Sequence, residues 1–512
     1  MDSPGKKPGA WLVGLMGLGS LIWFLVRVIP KPSRAAYPCQ RAAAPLAGGF
    51  VIWVAGLVSA RALYRRAAAR NSVALAALAL AVLAAWLPLG VTTGAPAQYF
   101  PNPEDKFIPS EGPNHPMGQG RGIHPGRVVW VHDPDATSWD GKTGNWWDDA
   151  NTNQREVDGM ISRALQNLTG RKSDQQAWDA LFKHFNREHK LGDTGYRRGE
   201  KIAIKINANQ DREAVWTTGR GVPSPHVISA LVAQLINSAG VLGEDISIYE
   251  VTRRRFISDP IYKRIRANSN PSFQGVRFVV EPDMARDGRE AAKWDRANPI
   301  RFSDPGMPAA YLPQNLTESK YLINLALLRA HTLNGVTLTA KNHYGATYFP
   351  EKGGWSPVAL HGCGAASRPM GSYNCLVDLV GHRHLGGKTL LYMIDGLYSA
   401  EHNEGYVMRF LSFGDDWPSS IFLSQDPVAI DSVALDFLRN EPRATRVLGK
   451  PDNYLHEAAL AGNPPSGTVY DPERDGTRLT SLGVHEHWNN ATAKQYSRNL
   501  GRSEGIELVA AR

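Results

Sequence analysis

The chain has 512 residues, of which 43% are hydrophobic and 21% are charged. A chain of this length and composition buries a sizeable core, which excludes a disordered protein and a small disulfide-stapled domain. Its three cysteines include no C-x-x-C pair, so an iron–sulfur cluster with cysteine ligands is not expected. The 57 Lys and Arg exceed the 48 Asp and Glu by nine without clustering, so no nucleic-acid partner is predicted.

Three apolar segments lie near the N-terminus, at about residues 10–29, 42–60 and 73–91. Each approaches the ~20 residues that an α-helix needs to cross a bilayer. Residues 1–92 are therefore predicted to form a transmembrane region with three helices, which makes the membrane a predicted partner. A cleaved signal peptide is the alternative for the first segment, but no small-residue cleavage site follows it.

The basic residues that flank these segments predict their orientation. An N-terminus in the cytoplasm places six of them inside, namely Lys6, Lys7, Arg61, Arg65, Arg66 and Arg70. The opposite orientation places four inside, namely Arg27, Lys31, Arg34 and Arg41. The prediction is a multi-pass protein of the bacterial inner membrane with a periplasmic domain. In that oxidising compartment Cys363 and Cys375 can form a disulfide, although their spacing does not establish one.

The rest of the chain is predicted to be a linker followed by one α/β domain. Residues 93–125 are rich in Pro, Gly and Asn, as linkers are, and residues 126–512 form the domain. Short apolar runs predict buried strands at 128–131, 202–206, 246–251, 276–280, 321–328, 390–394 and 421–423. Helical patterns occur at 156–168, 226–238 and 428–439. Strands that alternate with helices predict a mainly parallel sheet.

Polar residues follow the predicted strands, and in an open parallel sheet ligands bind outside the carboxyl ends of the strands. These residues are His132, Asp133, Lys205, Asn207, Asn209, Glu250, Asp395 and Asp426. Each of them alone is more simply explained as a helix cap or a strand end. Together they predict a polar rim with both signs of charge, which is the default binding site.

Lys341, Asn342 and His343 are the densest group of candidate functional residues. An amine, an amide and an imidazole in succession can bind an anionic oxygen, orient it and move a proton. Lys205 and Asn207 repeat the Lys/Asn pair at another strand end, and two such pairs can clamp a phosphate or a carboxylate. The alternative is that Lys341 and Asn342 only satisfy loop carbonyls.

Candidate metal ligands are Asp395 and two histidine pairs. Asp395 ends a strand before a glycine, where a carboxylate can act as acid, base or metal ligand. The histidine pairs with one residue between them are His382/His384 and His485/His487. On a strand such a pair directs both rings to one face, but neither pair lies in a clear apolar strand. A divalent metal is thus a candidate cofactor. Asp426 precedes a proline at a helix start, where capping is its simpler role.

Four segments, taken in order, resemble the Domain of Unknown Function 362 family. They are Lys201–Asn207 with Pro225-His226 after it, Tyr321–Gly345, Ile394–Gly396 and Ser424–Asp431. The second segment contains the His that the family's pattern has after an apolar strand, and His331 is therefore a predicted ligand-binding residue. Arg329 stands where the family often has Lys. The chain lacks the ferredoxin-like cysteine module of some relatives, and the resemblance implies no particular reaction.

Together these patterns lead us to expect a membrane-anchored envelope enzyme that acts on an anionic small molecule or envelope component. The expected catalytic residues are Lys341, His343 and Asp395, and the expected ligand-binding residues are Lys205, Asn207, His331, Asn342 and Asp426. One alternative is a non-catalytic binding or scaffold protein of the cell envelope. A second alternative is a membrane redox partner whose cofactor needs no cysteine ligands.

Overall fold

The computed structural model describes residues 18–23, 25–26, 105–212, 216–252, 254–350 and 357–511. The chain divides into two compact units, Met1–Gln98 and Tyr99–Arg512. The fold described below is that of the second unit.

The predicted membrane anchor is not supported by the structure. The predicted spans 42–60 and 73–91 lie outside the described residues, and of the span 10–29 only residues 18–23 and 25–26 are described, as helix. Within the described ranges no helix is long and apolar enough to cross a membrane. This finding overturns the prediction of a multi-pass protein of the bacterial inner membrane with a periplasmic domain.

The second unit is built on a ten-stranded sheet, with two small two-stranded sheets beside it. The strands are β1 (Met117–Gly118), β2 (Arg127–His132), β3 (Ile202–Ile206), β4 (Ile246–Glu250), β5 (Arg277–Val280), β6 (Glu290–Ala291), β7 (Trp294–Ile300), β8 (Ala310–Pro313), β9 (Tyr321–His331), β10 (Gly335–Thr337), β11 (Thr389–Ala400), β12 (Ser420–Ser424), β13 (Val484–His485) and β14 (Glu507–Ala511). The order in the large sheet is β14-β2-β12-β11-β9-β3-β4-β5-β6, with β10 beside β9.

The large sheet is mainly parallel, as the alternation of strands and helices predicts. β3, β4, β5, β6, β9 and β11 form one parallel block, and β14 is parallel to β2. β12 is antiparallel to both of its neighbours, β11 and β2, and the short β10 is antiparallel to β9. The predicted mixed α/β fold with a largely parallel central sheet is confirmed.

Helices cover both faces of this sheet. They are α1 (Gln154–Thr169), α2 (Asp174–Glu188), α3 (Pro225–Ala233), α4 (Asp259–Arg266), α5 (Gln314–Thr317), α6 (Thr339–Asn342), α7 (Pro357–Cys363), α8 (Cys375–Gly381), α9 (Pro427–Arg439) and α10 (Asn453–Ala459). Successive strand residues point to opposite faces, so β9 contributes Leu322 and Leu328 to one hydrophobic cluster and Ile323 and Leu325 to the other. α9 packs in the first cluster and α1 in the second.

Two helices begin where the sequence signals them. Ser224 caps α3 and accepts a hydrogen bond from the backbone N–H of Val227, and Asp426 caps α9. Each helix has proline in its first turn, where the missing N–H costs nothing. The predicted helix over 226–238 is observed as α3 followed by a π-helical turn at Gln234–Ser238.

The C-terminal part of the predicted linker packs on the domain. Residues 93–104 lie outside the described residues, but Lys106 pairs with Leu448, and β1 pairs with β13. The backbone N–H of Phe107 donates to the carbonyl of Val447. Pro, Gly and Asn in this segment predict an irregular backbone, and contacts with distant residues give it a fixed position.

Candidate functional site

A cavity of about 410 Å³ lies at the carboxyl ends of β3, β4 and β9. Its lining includes Asn207, Glu250, Arg329, His331, Lys341 and His361. These strands are parallel neighbours, and the loops after them diverge to leave this space. The cavity is therefore where the sequence places a site. We call it the strand-end cavity.

Arg329 is a buried cation of the strand-end cavity. Only 1% of its surface is exposed. Its Nη1 donates to the carbonyl of Gly221 at 2.9 Å and its Nη2 donates to Oδ1 of Asn207 at 2.7 Å. Its Nε has no acceptor, and among the described residues no carboxylate lies within 4.0 Å of the guanidinium. Burial, together with the charge of Arg255, lowers the pKa of Arg329 to about 9.

Lys341 is the second buried basic group of the cavity. Its Nζ lies 3.3 Å from Nε2 of His361 and 4.7 Å from the ring centre of Tyr344. Burial and the charge of Arg329 hold the pKa of Lys341 well below its usual range. A lowered pKa makes the Lys341 amine easier to deprotonate, so this residue is suited to act as a general base.

His331 stacks beside His361, with 5.2 Å between the ring centres. Its Nδ1 accepts hydrogen bonds from the backbone N–H groups of Leu333 and Asn334 at 3.0 and 3.2 Å. Nδ1 is therefore unprotonated, and the ring proton is on Nε2. Burial and the nearby charges, that of Lys341 first among them, hold the pKa of His331 well below its usual range. His331 is thus a neutral hydrogen-bond donor.

A buried ion pair supports the floor of the cavity. Nζ of Lys205 lies 2.9 Å from Oε2 of Glu250 and also donates to Oδ1 of Asn342 at 3.3 Å. Glu250 further accepts from the backbone of Ala208 and Thr252. Burial lowers the pKa of Lys205, and the charge of Glu250 opposes that effect. Lys205 is thus engaged with protein groups on this side of the cavity.

Asn342 and Gly345 complete this floor. The Asn342 amide donates to the carbonyls of Lys205 and Leu325 and to Oδ1 of Asn324. A Cβ atom on Gly345 would lie 2.3 Å from Oε1 of Glu250. The turn after Asn342 can approach the ion pair this closely only because residue 345 has no side chain.

Further arginines lie towards the outside of the cavity. Nη2 of Arg255 donates to Oδ1 of Asn209 at 2.9 Å, and burial and the charge of Arg212 lower the pKa of Arg255 to about 10. The exposed Arg212 pairs with Glu404 at 3.1 Å. All these residues line the cavity, so its wall carries three arginines as well as Lys341.

Four of the eight predicted site residues do not line the strand-end cavity: Lys205, which supports its floor, and His343, Asp395 and Asp426. His343 is buried, with Nε2 3.1 Å from Nδ2 of Asn324, and burial lowers its pKa to about 3. Asp395 accepts from the backbone of Ser224 and Leu397. Asp426 caps α9. Burial raises the pKa of each aspartate to about 6.

Cys363 and Cys375 are buried free thiols in the structure, which does not contain the predicted disulfide. Sγ of Cys363 instead accepts a hydrogen bond from the backbone N–H of Cys375 at 3.0 Å. Burial and the neighbouring Cys363 hold the pKa of Cys375 well above its usual range.

A second group of side chains has the composition of a metal site. It consists of two overlapping groups that share Glu111, one with His456 and His485 and the other with Asp452 and His487. We call these five residues the histidine cluster. Oε1 of Glu111 lies 3.2 Å from Nε2 of His456, 3.0 Å from that of His485 and 3.3 Å from that of His487. The structure therefore contains a candidate metal-binding group of glutamate, aspartate and histidine residues.

The ring orientations in the histidine cluster are set by neighbouring groups. Nδ1 of His487 lies 2.7 Å from Oδ1 of Asp436, and Nδ1 of His485 lies 2.8 Å from Oγ of Ser432. The Ser432 hydroxyl donates its proton to the carbonyl of Val428, so Nδ1 of His485 must be the donor in the second contact. This fixes the lone pair on Nε2, as in histidines that bind metal ions.

Residues 202–436 match the family model described as Domain of unknown function (DUF362). This match confirms the resemblance of the four segments. Residues 202–436 are thus similar to this family of unknown function. The matched range includes β3, β4 and β9 and with them the strand-end cavity, whereas every member of the histidine cluster lies outside it. Neither the curated proteins nor the solved structures include a match to the chain.

The structure places in these two sites several residues that the sequence does not single out. Arg329 is visible in the sequence only as a departure from the family pattern, and Arg255 and His361 carry no signal because neither follows a predicted strand. Of the histidine cluster, only the pair His485/His487 forms a recognisable pattern. The spacing between Glu111 and His456 in the sequence gives no local pattern that would have revealed the rest.

Proposed function

We propose that the protein binds an anionic small molecule in the strand-end cavity and acts on it as an enzyme. The observation that carries this proposal is Arg329, a buried guanidinium whose acceptors are both neutral. A buried charge without an opposite charge is costly, and a bound phosphate or carboxylate would compensate it. Such an anion would also meet Lys341 and His331, which line the same cavity.

In the proposed reaction Arg329 anchors the anion and Lys341 moves a proton. The neutral Lys341 amine takes a proton from a bound ligand, and the resulting ammonium is stabilised by the negative charge that remains on the ligand. Nε2–H of His331 donates a hydrogen bond to an oxygen of the ligand. Nε2 of His361, 3.3 Å from Nζ of Lys341, accepts the proton from the Lys341 ammonium and so restores the free amine.

This proposal keeps part of the predicted site and changes the role of the rest. Asn207 orients Arg329, and Lys205 and Asn342 hold the floor of the cavity. His343, Asp395 and Asp426 have no part in the proposed reaction, since they do not line the cavity. The alternative of a non-catalytic binding protein uses the same cavity and the same arginine.

Binding of small anions to the Arg329→Met variant tests the proposal. Inorganic phosphate and succinate, the simplest probes with the two head groups, are titrated into the full chain by calorimetry. We expect Arg329→Met to lower the affinity of the better probe at least about tenfold, as loss of a charge-assisted hydrogen bond implies. Arg277→Met is the matched control, because Arg277 pairs with Glu290 at the sheet edge. Equal affinity in all three proteins would contradict the proposal.

The Lys341→Met variant separates the enzyme from the binding protein. Ligands that co-purify with the chain are released by denaturation, identified by mass spectrometry and then incubated with wild type and variant. Conversion by wild type and not by Lys341→Met supports catalysis. Binding without conversion by either protein would reject catalysis and favour the non-catalytic alternative.

We also propose that the protein binds a divalent cation at the histidine cluster. The observation that favours it is the convergence of three imidazole Nε2 atoms on one oxygen of Glu111. Elemental analysis of the purified chain before and after dialysis against a chelator tests this proposal. About one equivalent of a divalent metal per chain is expected.

A further inference from the structure

The histidine cluster joins three segments that are far apart in the sequence. Glu111 belongs to residues 105–118. Asp452 precedes the first residue of α10, and His456 lies within that helix. His485 is the last residue of β13, and His487 follows that strand. Residues 105–118 also contact the domain through β1, whose partner is β13. The cluster is therefore placed where one ion would connect the start of the described domain to its C-terminal part.

Asp452 is the member of the histidine cluster whose carboxylate receives no hydrogen bond from the described part of the chain. It is 1% exposed, and neither of its carboxylate oxygens has a hydrogen-bond partner in the described part of the chain. Nε2 of His456 lies 3.7 Å from Oδ2 of Asp452. A buried carboxylate without hydrogen bonds is costly, so this geometry implies a further positive partner.

The charge of the cluster matches one divalent cation. When the three imidazoles bind an ion through neutral Nε2 atoms, the carboxylates of Glu111 and Asp452 supply two negative charges to that ion. The Nε2 atoms of the histidines lie 3.0–3.3 Å from Oε1 of Glu111. Two ligands bound at ~2.0 Å to one tetrahedral ion are about 3.3 Å apart, so these spacings suit ligands of a shared ion.

We propose that the histidine cluster holds a zinc-class cation that clamps residues 105–118 to the domain. The inference rests on the proposed binding of a divalent cation at this site and adds its chemical class and its role. Imidazole nitrogen is a ligand of Zn²⁺ and its transition-metal neighbours, whereas Mg²⁺ and Ca²⁺ take oxygen. Asp436 and Ser432 behind the histidines are the hydrogen-bonding partners that such ligands have in proteins.

The class of the cation is tested with the full chain after removal of metal by a chelator. Zn²⁺, Mg²⁺ and Ca²⁺ are titrated separately, and the affinity for Zn²⁺ is expected to exceed the other two at least about 100-fold. Ser432→Ala removes the partner of His485 and is expected to lower Zn²⁺ affinity about 10-fold. His115→Ala is the matched control, since His115 lies on the same segment outside the cluster. Tighter binding of Mg²⁺ or Ca²⁺ would overturn the inference and leave cation binding intact.

The clamp is tested by limited proteolysis with trypsin. Lys106 and Arg121 flank β1 and are exposed. Removal of the metal is expected to accelerate cleavage at both sites, and Zn²⁺ but not Mg²⁺ is expected to reverse this. Asp452→Asn keeps the shape of the side chain but removes its charge. Trypsin should cleave this variant rapidly even when Zn²⁺ is present. Cleavage that does not depend on metal, in a chain that binds Zn²⁺, would overturn the clamp. A chain that binds no cation would refute the proposed cation binding itself.

Discussion

Nζ of Lys205 lies 2.9 Å from Oε2 of Glu250, and the two side chains are 0% and 3% exposed. The two residues lie near the ends of neighbouring parallel strands, where Lys205 is paired with Tyr249, the residue before Glu250. A lysine at a strand end is therefore used to neutralise the carboxylate on the next strand. Arg329 and Lys341 face the cavity, and neither forms an ion pair with a carboxylate in the described part of the chain.

Lys205→Met is expected to destabilise the protein by about 3–5 kcal/mol, because it leaves the buried Glu250 carboxylate without its counter-charge. Urea unfolding of wild type and variant measures this loss. In the double variant Lys205→Met/Glu250→Gln the loss should be smaller than the sum of the single losses. Additive losses would mean that the two side chains do not interact.

Gly345→Ala is expected to destabilise the protein by about 1–3 kcal/mol through overpacking. The added Cβ would lie 2.3 Å from Oε1 of Glu250 and 2.6 Å from Nζ of Lys205, and that ion pair is itself held by other contacts. Gly462→Ala is the control, because its Cβ would meet nothing closer than 3.7 Å. Equal thermal stability of the two variants would contradict the close approach at residue 345.

Lys341→Met is expected to raise the stability of the ligand-free protein by about 1–2 kcal/mol at neutral pH. The pKa of Lys341 is lowered by burial, so folding must release a proton wherever the unfolded chain keeps that lysine charged. This cost is present below the usual pKa of lysine and disappears as the pH rises towards about 10.5. Urea unfolding at several pH values should show the gain of the variant shrinking between about pH 8 and about pH 10. A gain that is independent of pH would exclude this cause.

Asp426→Ala is expected to cost about 2–4 kcal/mol, more than an ordinary helix cap. Its carboxylate accepts from the backbone N–H groups of Val428 and Ala429 in α9, and also from those of Arg121 and Val484. Asn153→Ala, the control, removes a cap that accepts one N–H and should cost about 1 kcal/mol. Loss of anion binding without loss of stability would instead return Asp426 to the ligand-binding site.

Cys363 and Cys375 are expected to react with iodoacetamide only after unfolding. Both thiols are buried, and the raised pKa of Cys375 disfavours its reactive thiolate. Mass spectrometry after treatment in denaturant without reductant should find both cysteines alkylated. Cysteines that become alkylated only after reduction would show that they form the disulfide that the sequence allows.

The sequence by itself determined the type of fold, because the signals for strands and helices are local. Apolar runs gave strands β3, β4 and β9, and Asp426 before a proline marked the start of α9. The same local reasoning placed a binding site at the strand ends, where the structure has a cavity. It also predicted membrane spans from apolar runs, which the structure does not support within the described residues.

Only the tertiary structure decided which polar residues face the cavity. Lys205 and Lys341 look alike in the sequence, but the position of Glu250 on the neighbouring strand pairs one of them and leaves the other near Arg329. The histidine cluster needs Glu111, which is 341 residues before Asp452, and no local pattern records such a contact. Charge pairing and metal ligation depend on distances of a few ångströms between segments, which sheet order and packing set.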